Sequence, residues 1–312
     1  MESPFTYNST ASGSSFLARK KEVSQTVLNI RNRVHTVIYE PPKTGKQSLI
    51  DMALAQTGLT PAVIDMISMI DSDELLHALQ DTPEHTLVYI KNFQNILRLP
   101  DWERAAADLS HRMQSDDAPA YILSGSGINA MKYIFEEKKL FYRQLDRVRL
   151  SPIDERSVTD HIIKTFLRVG RVVEQSQAER IYNTADGHPW YIWQIADTCF
   201  NLTKGYLSDG IITEAVDSLL YTHSVRFQET VDSLSRYQLY FLKAVFDGIT
   251  KVSSSDVIER YRLNSSANVH RIKEALTKKE VISIDAQDTP TIIDPIFRLW
   301  LERFYFKDNK AQ

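Results

Sequence analysis

Val37-Ile38-Tyr39-Glu40-Pro41-Pro42-Lys43-Thr44-Gly45-Lys46-Gln47-Ser48-Leu49-Ile50 is the stretch on which the fold of this chain turns. A short apolar run breaks at two prolines, turns at Gly45-Lys46 and passes into a helical pattern whose apolar side is Leu49, Ile50, Met52, Ala53 and Leu54. That order is the layout of a phosphate-binding loop, which wraps backbone N–H groups and a helix N-terminus around phosphates, adds a lysine, and uses a hydroxyl to hold Mg²⁺. Against the pattern G-x-x-x-x-G-K-[ST], Gly45 and Lys46 match, whereas Glu40 stands at the first glycine and Gln47 at the hydroxyl position. Ser48 comes one residue late, which on a helix turns its side chain by roughly 100°. An ordinary strand–turn–helix with a surface lysine satisfies the same residues.

The chain has 312 residues, more than one core usually serves, so about two or three domains are expected. A 43% apolar, 25% charged composition is the balance of a soluble protein. The net charge of −3 gives no global field toward nucleic acid or membrane and leaves only a local basic face open. Cys199 is the single cysteine and lies in an apolar stretch, which points to a buried thiol rather than a nucleophile. Residues 1–15 lack a basic and an apolar leader segment, and no run reaches ~18 uninterrupted apolar residues. The expectation is a cytoplasmic protein with no membrane partner.

Outward from the loop, an amphipathic helix with Val23, Val27, Leu28 and Ile30 on one side precedes the strand Thr36–Tyr39. Ala62–Met69 reads as a second strand, Ser72–Leu79 as a capped helix, Thr86–Ile90 as a third strand, Trp102–Met113 as a helix, Ala120–Ser126 as a strand, and Arg147–Leu150 as the last strand. Strands alternating with helices imply a parallel, buried sheet. Helical periodicity then runs from Asp154 to about His223. Helices Gln238–Phe246, Ser254–Tyr261 and Ser266–Thr277, followed by strands Val281–Ile284 and Thr291–Ile293, spell a winged helix. Its third helix offers Asn268, Arg271 and Lys273 to DNA, although Glu274, Asp285 and Asp288 lie beside them. The expected domains are a flexible N-terminus (1–15), a P-loop NTPase-like α/β domain (16–151), a helical lid (152–230) and a winged helix (231–312), with the last five residues a loose end.

Taken together, these pieces resemble the archaeal-type P-loop ATPases of the STAND class, the regulatory switch branch of the AAA+ relatives. Phe16-Leu17-Ala18-Arg19-Lys20-Lys21-Glu22 is similar to that family's opening motif, two apolar residues followed by G-R-E-x-E, with Ala18 for glycine and Lys20 for the first glutamate. Gly187-His188-Pro189 resembles its G-x-P motif in the lid, and Ser124-Gly125-Ser126 the end of its sensor strand. Arg143 falls where the family tends to keep an arginine after that strand, and Asp294-Pro295-Ile296-Phe297-Arg298-Leu299-Trp300 looks like its closing D-P-x-F-x-x-W segment. The resemblance covers nearly the whole chain. It implies ATP or ADP as ligand, contacted by Lys43, Thr44, Gly45, Lys46, Gln47 and Ser48, by Arg19 and Arg143, and by His188 and Pro189 of the lid.

Hydrolysis in this class requires a strand ending in Asp, for the Mg²⁺ shell, and usually Glu, for the attacking water. Here Leu87-Val88-Tyr89-Ile90 is followed by Lys91-Asn92-Phe93-Gln94, which resembles the family's D-E-F-Q with both carboxylates gone. Mg²⁺ is left without its ligands, no catalytic residue is assigned, and turnover is expected to be absent or very slow. Glu40 and Lys91 are then expected to meet across adjacent strand ends and fill a dead site, or Glu40 to pair with Lys46; alternatively Lys91 stands in for the metal. Asp65, Asp71 and Asp73 read as strand-end and cap acids. His35, His77, His85, His111 and His161 have no metal spacing, Lys138, Lys139, Arg143, Arg147 and Arg149 read as a solvated basic face, and Trp190–Trp193 reads as lid core.

Two functions follow: a switch that binds ATP or ADP with little or no hydrolysis, or a pseudo-ATPase adaptor that works through its winged helix on DNA or on a protein partner the sequence does not name.

Overall fold

The computed structural model describes residues 3–13, 16–82 and 87–306; His85, Thr86 and the last five residues lie outside them. The chain divides into two compact units, one of residues 8–153 and one of residues 1–7 with 154–312.

The first unit runs α1 (Lys20–Arg31), β1 (Thr36–Tyr39), α2 (Lys46–Thr57), β2 (Ala62–Asp65), α3 (Ser72–Gln80), β3 (Val88–Lys91), α4 (Trp102–Met113), β4 (Tyr121–Gly125), α5 (Ile128–Lys132) and β5 (Asp146–Arg147). The strands form one sheet in the order β2-β3-β4-β1-β5, and every pairing is parallel. Alternate residues point to opposite faces, so a sheet covered on both sides must be apolar at nearly every position. Val37, Tyr39, Val88, Ile90, Tyr121 and Leu123 pack on one face with Leu75 of α3 and Leu109 of α4. Ile38, Tyr89 and Ile122 pack on the other with Val23, Val27 and Ile30 of α1 and Leu49 and Ile50 of α2. Each such fully buried side chain contributes about 1.5–3 kcal/mol.

Three expectations change, and one feature is added. Leu28 is 58% exposed rather than on the buried side, because it sits one residue, a quarter-turn or more, past Val27. The second strand stops at Asp65, whose carboxylate accepts from the Ile67 N–H and turns the chain. The last strand is Asp146–Arg147, with Val148 N–H still bonded to Val37 O. The first helix after β4 continues as a π turn over Tyr133–Glu137, which no periodicity announced.

In the second unit the helices are α6 (Glu155–Leu167), α7 (Gln175–Thr184), α8 (Pro189–Leu202) and α9 (Asp209–Asp232). Asp154 caps α6 through Ser157 N–H, Ser208 caps α9 through Ile211 N–H, and Pro189 opens α8 at its first turn. The N-terminus, expected to be a loose end, places Phe5 at 5% exposure in this unit. Its ring packs on Phe166, Trp193 and Phe200. Cys199 is buried nearby, and burial pushes its thiol up to about 12, which rules out nucleophilic use near neutral pH.

The winged helix comprises α10 (Arg236–Phe246), α11 (Ser255–Arg260), α12 (Ser266–Lys278) and the antiparallel pair β6 (Ile282–Ile284) and β7 (Pro290–Ile292), closed by α13 (Pro295–Trp300). A Ser235–Gln238 capping box starts α10, and Asp285 accepts from Gln287 and Thr289 N–H to shape the wing. Asp294 ties the segment back to α8 and α9 of the same unit: Tyr191 O–H donates to its carboxylate at 2.7 Å and Arg226 at 3.0 Å. Among the described residues no helix is long and apolar enough to cross a membrane.

Candidate functional site

The loop between β1 and α2 lies at the carboxyl ends of the parallel strands, where open α/β sheets place their ligands. Gly45 caps α2 in the left-handed region (φ 96°), a conformation that costs glycine little, and hands the chain to Lys46 at the first helical position. Lys46 turns back on its own loop, donating to Glu40 O at 2.8 Å and Pro41 O at 2.7 Å. Burial to 9% exposure brings its ammonium down to about 8, with Glu40 opposing the shift.

Around it the other expected ligand residues hold the loop. Thr44 Oγ1 donates to Pro41 O at 2.9 Å. Arg19, 4% exposed, donates to Thr44 O at 3.2 Å and to Ser151 O at 3.0 Å, bracing the loop against the chain that leaves β5. Ser48 Oγ accepts from Ala11 N–H at 2.9 Å. Lys43 is exposed in the left-handed region (φ 63°). Arg143 is exposed on the turn before β5, stacked on Tyr142. His188 caps α8 in the second unit with its ring against Tyr191, followed by Pro189. The geometry thus brings together Arg19 and residues 43–48, and sets Arg143 on a separate turn.

The expected Glu40–Lys91 pair does not form. β4 lies between β1 and β3, so the two strand ends are not neighbours. The Glu40 carboxylate instead accepts from Leu150 N–H at 3.3 Å, and burial raises its pKa against the pull of Arg147, that hydrogen bond, Lys46 and Arg149. Lys46 binds the Glu40 backbone carbonyl, not its carboxylate. The Lys91 ammonium lies over the Tyr89 ring.

Tyr89 is the residue the sequence did not mark. Two residues before Lys91 it points to the α2 side of the sheet, where its hydroxyl donates to Gln47 Oε1 at 3.0 Å and shares a 3.0 Å bond with Ser124 Oγ. Gln47 Nε2 donates in turn to Asp51 at 2.6 Å. A chain of side chains from α2 through β3 to β4 therefore engages Gln47, which stands at the position where hydrolysing P-loop proteins keep a metal-holding hydroxyl, while Lys91 stands where they keep a carboxylate. Neighbouring carboxylates are already hydrogen-bonded: Asp51 to Gln47, and Asp65 to Asn92 Nδ2 at 2.7 Å. A lysine beside a fully engaged glutamine is not a donor set for a divalent cation. Phosphate is a different case, since the N-terminus of a 12-residue helix and a lysine face the loop, but binding would have to draw Lys46 from two carbonyls and tolerate Glu40.

Remaining candidates settle into structural roles. His35 Nδ1 accepts from Tyr121 N–H and Nε2 donates to Met113 O, joining β4 to α4. In the basic cluster, Lys138 pairs with Glu103 and Arg147 with Glu136. On α12, Asn268 Nδ2 donates inward to Leu263 O, and Lys273 is held by both Asp288 oxygens at 2.6 and 2.8 Å. Of the three DNA candidates only Arg271 remains exposed.

A family profile described as a probable winged helix domain matches residues 225–303. A search of curated protein sequences returns no match. Among solved structures, the Walker-type ATPase PABY2304 of Pyrococcus abyssi is similar with a TM-score of 0.72 at 15% identity, over 96% of this chain and 99% of that one. The ORC2 protein of Aeropyrum pernix, in its ADPNP–ADP complexes, follows at 0.63 and 15% identity, over 96% of each chain. The Thermotoga maritima RuvB Holliday junction branch migration motor gives 0.52 at 12% identity, over 90% of this chain and 94% of that one. These likenesses show the fold: an α/β P-loop ATPase-like domain followed by a helical region with a winged helix domain.

Proposed function

We propose that this chain is a pseudo-ATPase, a P-loop protein without hydrolysis that acts as an adaptor through its helical and winged-helix unit. The observation that carries this reading is the Asp51–Gln47–Tyr89–Ser124 hydrogen-bond chain, which ties up Gln47 at the metal-hydroxyl position beside a strand end that carries Lys91 and Asn92 in place of carboxylates. Without a metal hydroxyl and two carboxylates, charge developing on a transferring phosphoryl group lacks a metal counter-charge and a group to orient the attacking water. Such losses amount to several kcal/mol each, enough to bring turnover to background.

A second reading, the nucleotide-responsive switch of the STAND class, draws support from Gly45 and Lys46, and from the Aeropyrum pernix protein having been solved with ADPNP and ADP. Calorimetric titration with ATP and ADP, with and without Mg²⁺, separates the two. The adaptor reading expects no binding tighter than about 100 μM and no effect of Mg²⁺. Tighter binding that Lys46→Ala abolishes, in a variant still folded by circular dichroism, selects the switch. Turnover at about 1 s⁻¹ would overturn both.

A further inference from the structure

α10, the turn that follows α11 and the C-terminal turn Leu301–Tyr305 enclose an open groove of about 1200 Å³. The residues lining it come from these segments and not from α12 or the wing, so it is separate from the surface a winged helix turns to DNA. Four cations line it against two carboxylates. Lys243 and Asp247 neutralise one another, and Tyr261 O–H donates to the same Asp247 at 2.8 Å. What remains is a rim of Arg236, Arg260 and Arg262 opposed by Glu302 alone. All three arginines are exposed, and none forms an ion pair among the described residues.

The groove is also aromatic, and the way its rings are used decides what it can take. Lys243 lies over both Phe246 and Phe306, Arg236 over Tyr240, and Arg260 over Tyr261. Phe246 and Phe306 pack on each other at 5.2 Å. A cation over one face of Tyr240, Tyr261, Phe246 and Phe306 leaves fewer open ring faces for stacking nucleic-acid bases, one of the terms by which single strands bind such grooves. The Tyr240 hydroxyl accepts from Arg236 Nε at 2.7 Å, which leaves its proton for an incoming anion. Guanidinium forks suit planar carboxylates, and Leu239 with the Phe246–Phe306 pair supplies an apolar floor.

We propose that this groove docks an acidic peptide segment of another protein, with an apolar side chain on the Leu239–Phe246–Phe306 floor and carboxylates on Arg236, Arg260 and Arg262. The chain's own residues after Phe306, with two lysines and one aspartate, do not complement it. The inference takes up the adaptor reading and gives it a surface; its test reads peptide binding and not nucleotide affinity, so either can fail alone.

The test pans a display library of random peptides, about twelve residues long, on the full chain, with counter-selection on the full chain carrying Arg236→Glu and Arg262→Glu. Both positions are exposed, and circular dichroism checks that the double variant is folded. The enriched peptides should be net acidic with an apolar residue, bind by fluorescence anisotropy at roughly 10 μM, and weaken about tenfold or more in the double variant and in high salt. Oligothymidine of similar length should not displace them. Failure to enrich, enrichment of neutral or basic sequences, or affinity unchanged in the double variant overturns the proposal. Displacement by oligothymidine overturns it in favour of a single-strand site.

Discussion

At Tyr89 one hydroxyl on β3 joins α2 to a residue of β4, so its removal is a sharp test of the hydrogen-bond chain through Gln47 and Ser124. Tyr89→Phe keeps the ring and its contact with Lys91 but strands Gln47 Oε1 and Ser124 Oγ, and should cost about 1–3 kcal/mol in urea denaturation without creating any turnover. An unchanged midpoint would mean the hydroxyl contributes nothing to the fold. The neighbouring absences at Lys91 and Asn92 were legible in the sequence because they sit at motif positions. Tyr89 was not, because a tyrosine in an apolar strand reads as core, and its partners come from elements far apart in the chain. His35 gives a second prediction. Burial lowers its pKa below the ordinary value near 6.5, and its Nδ1 is already an acceptor for Tyr121 N–H. Below about pH 6.5 the unfolded chain therefore takes up a proton that the folded chain refuses, and stability falls with pH until the folded pKa is passed. His161 and His223 shift the same way, while Glu40, with its raised pKa, pulls in the opposite sense nearer pH 4.5. Comparison with His35→Gln isolates the one histidine: the drop in urea midpoint between about pH 7.5 and about pH 5.5 should shrink in the variant. An equal drop would assign the acid sensitivity elsewhere.

At the level of elements, the sequence placed β1, α3, α4, α10, α11 and α12 within a residue or two, since caps such as Asp71 and the apolar periods are local signals, but read α6 to α9 only as one helical stretch. Strand order is not local. The insertion of β4 between β1 and β3 is what removes the Glu40–Lys91 pair, and nothing in either strand encodes it. The same limit applies to the winged helix, where the acidic wing could be read but the bidentate capture of Lys273 by Asp288 required the fold. That contact is expected to weaken any reading of DNA by α12, because it engages one of the few cations on the helix that could meet phosphate. Asp288→Asn should release Lys273 and raise duplex affinity about threefold to tenfold at low salt, with the salt dependence steepened by about one unit of slope, as read by anisotropy with a short duplex. Equal affinity and slope in the two proteins would show that α12 does not face DNA at all.

For the molecule as a whole, the sequence signalled a sheet followed by helices but gave no hint that residues 3–7 fold with the second unit rather than the first. Composition hides it: Phe5 and Tyr7 are two aromatics in a segment of otherwise mostly small polar residues, and the Phe5 pocket is assembled from Phe166 of α6 and Trp193 and Phe200 of α8. The ring is 5% exposed and stacks on Trp193 at an interplanar angle of 15°, while Tyr7 O–H reaches Asp197 on α8 at 3.5 Å. Removing a buried phenyl ring costs about 3–5 kcal/mol when the site cannot collapse, and this one is walled by rigid rings. Phe5→Ala should therefore speed amide hydrogen exchange across residues 155–202, by an amount matching that loss, while exchange in β1 and β4 stays as it was. The contrast matters because the two outcomes localise the defect. Exchange accelerated equally in the sheet would mean that the two units unfold as one, and exchange unchanged in α6 and α8 would mean that the N-terminal segment leaves its pocket at little cost in solution.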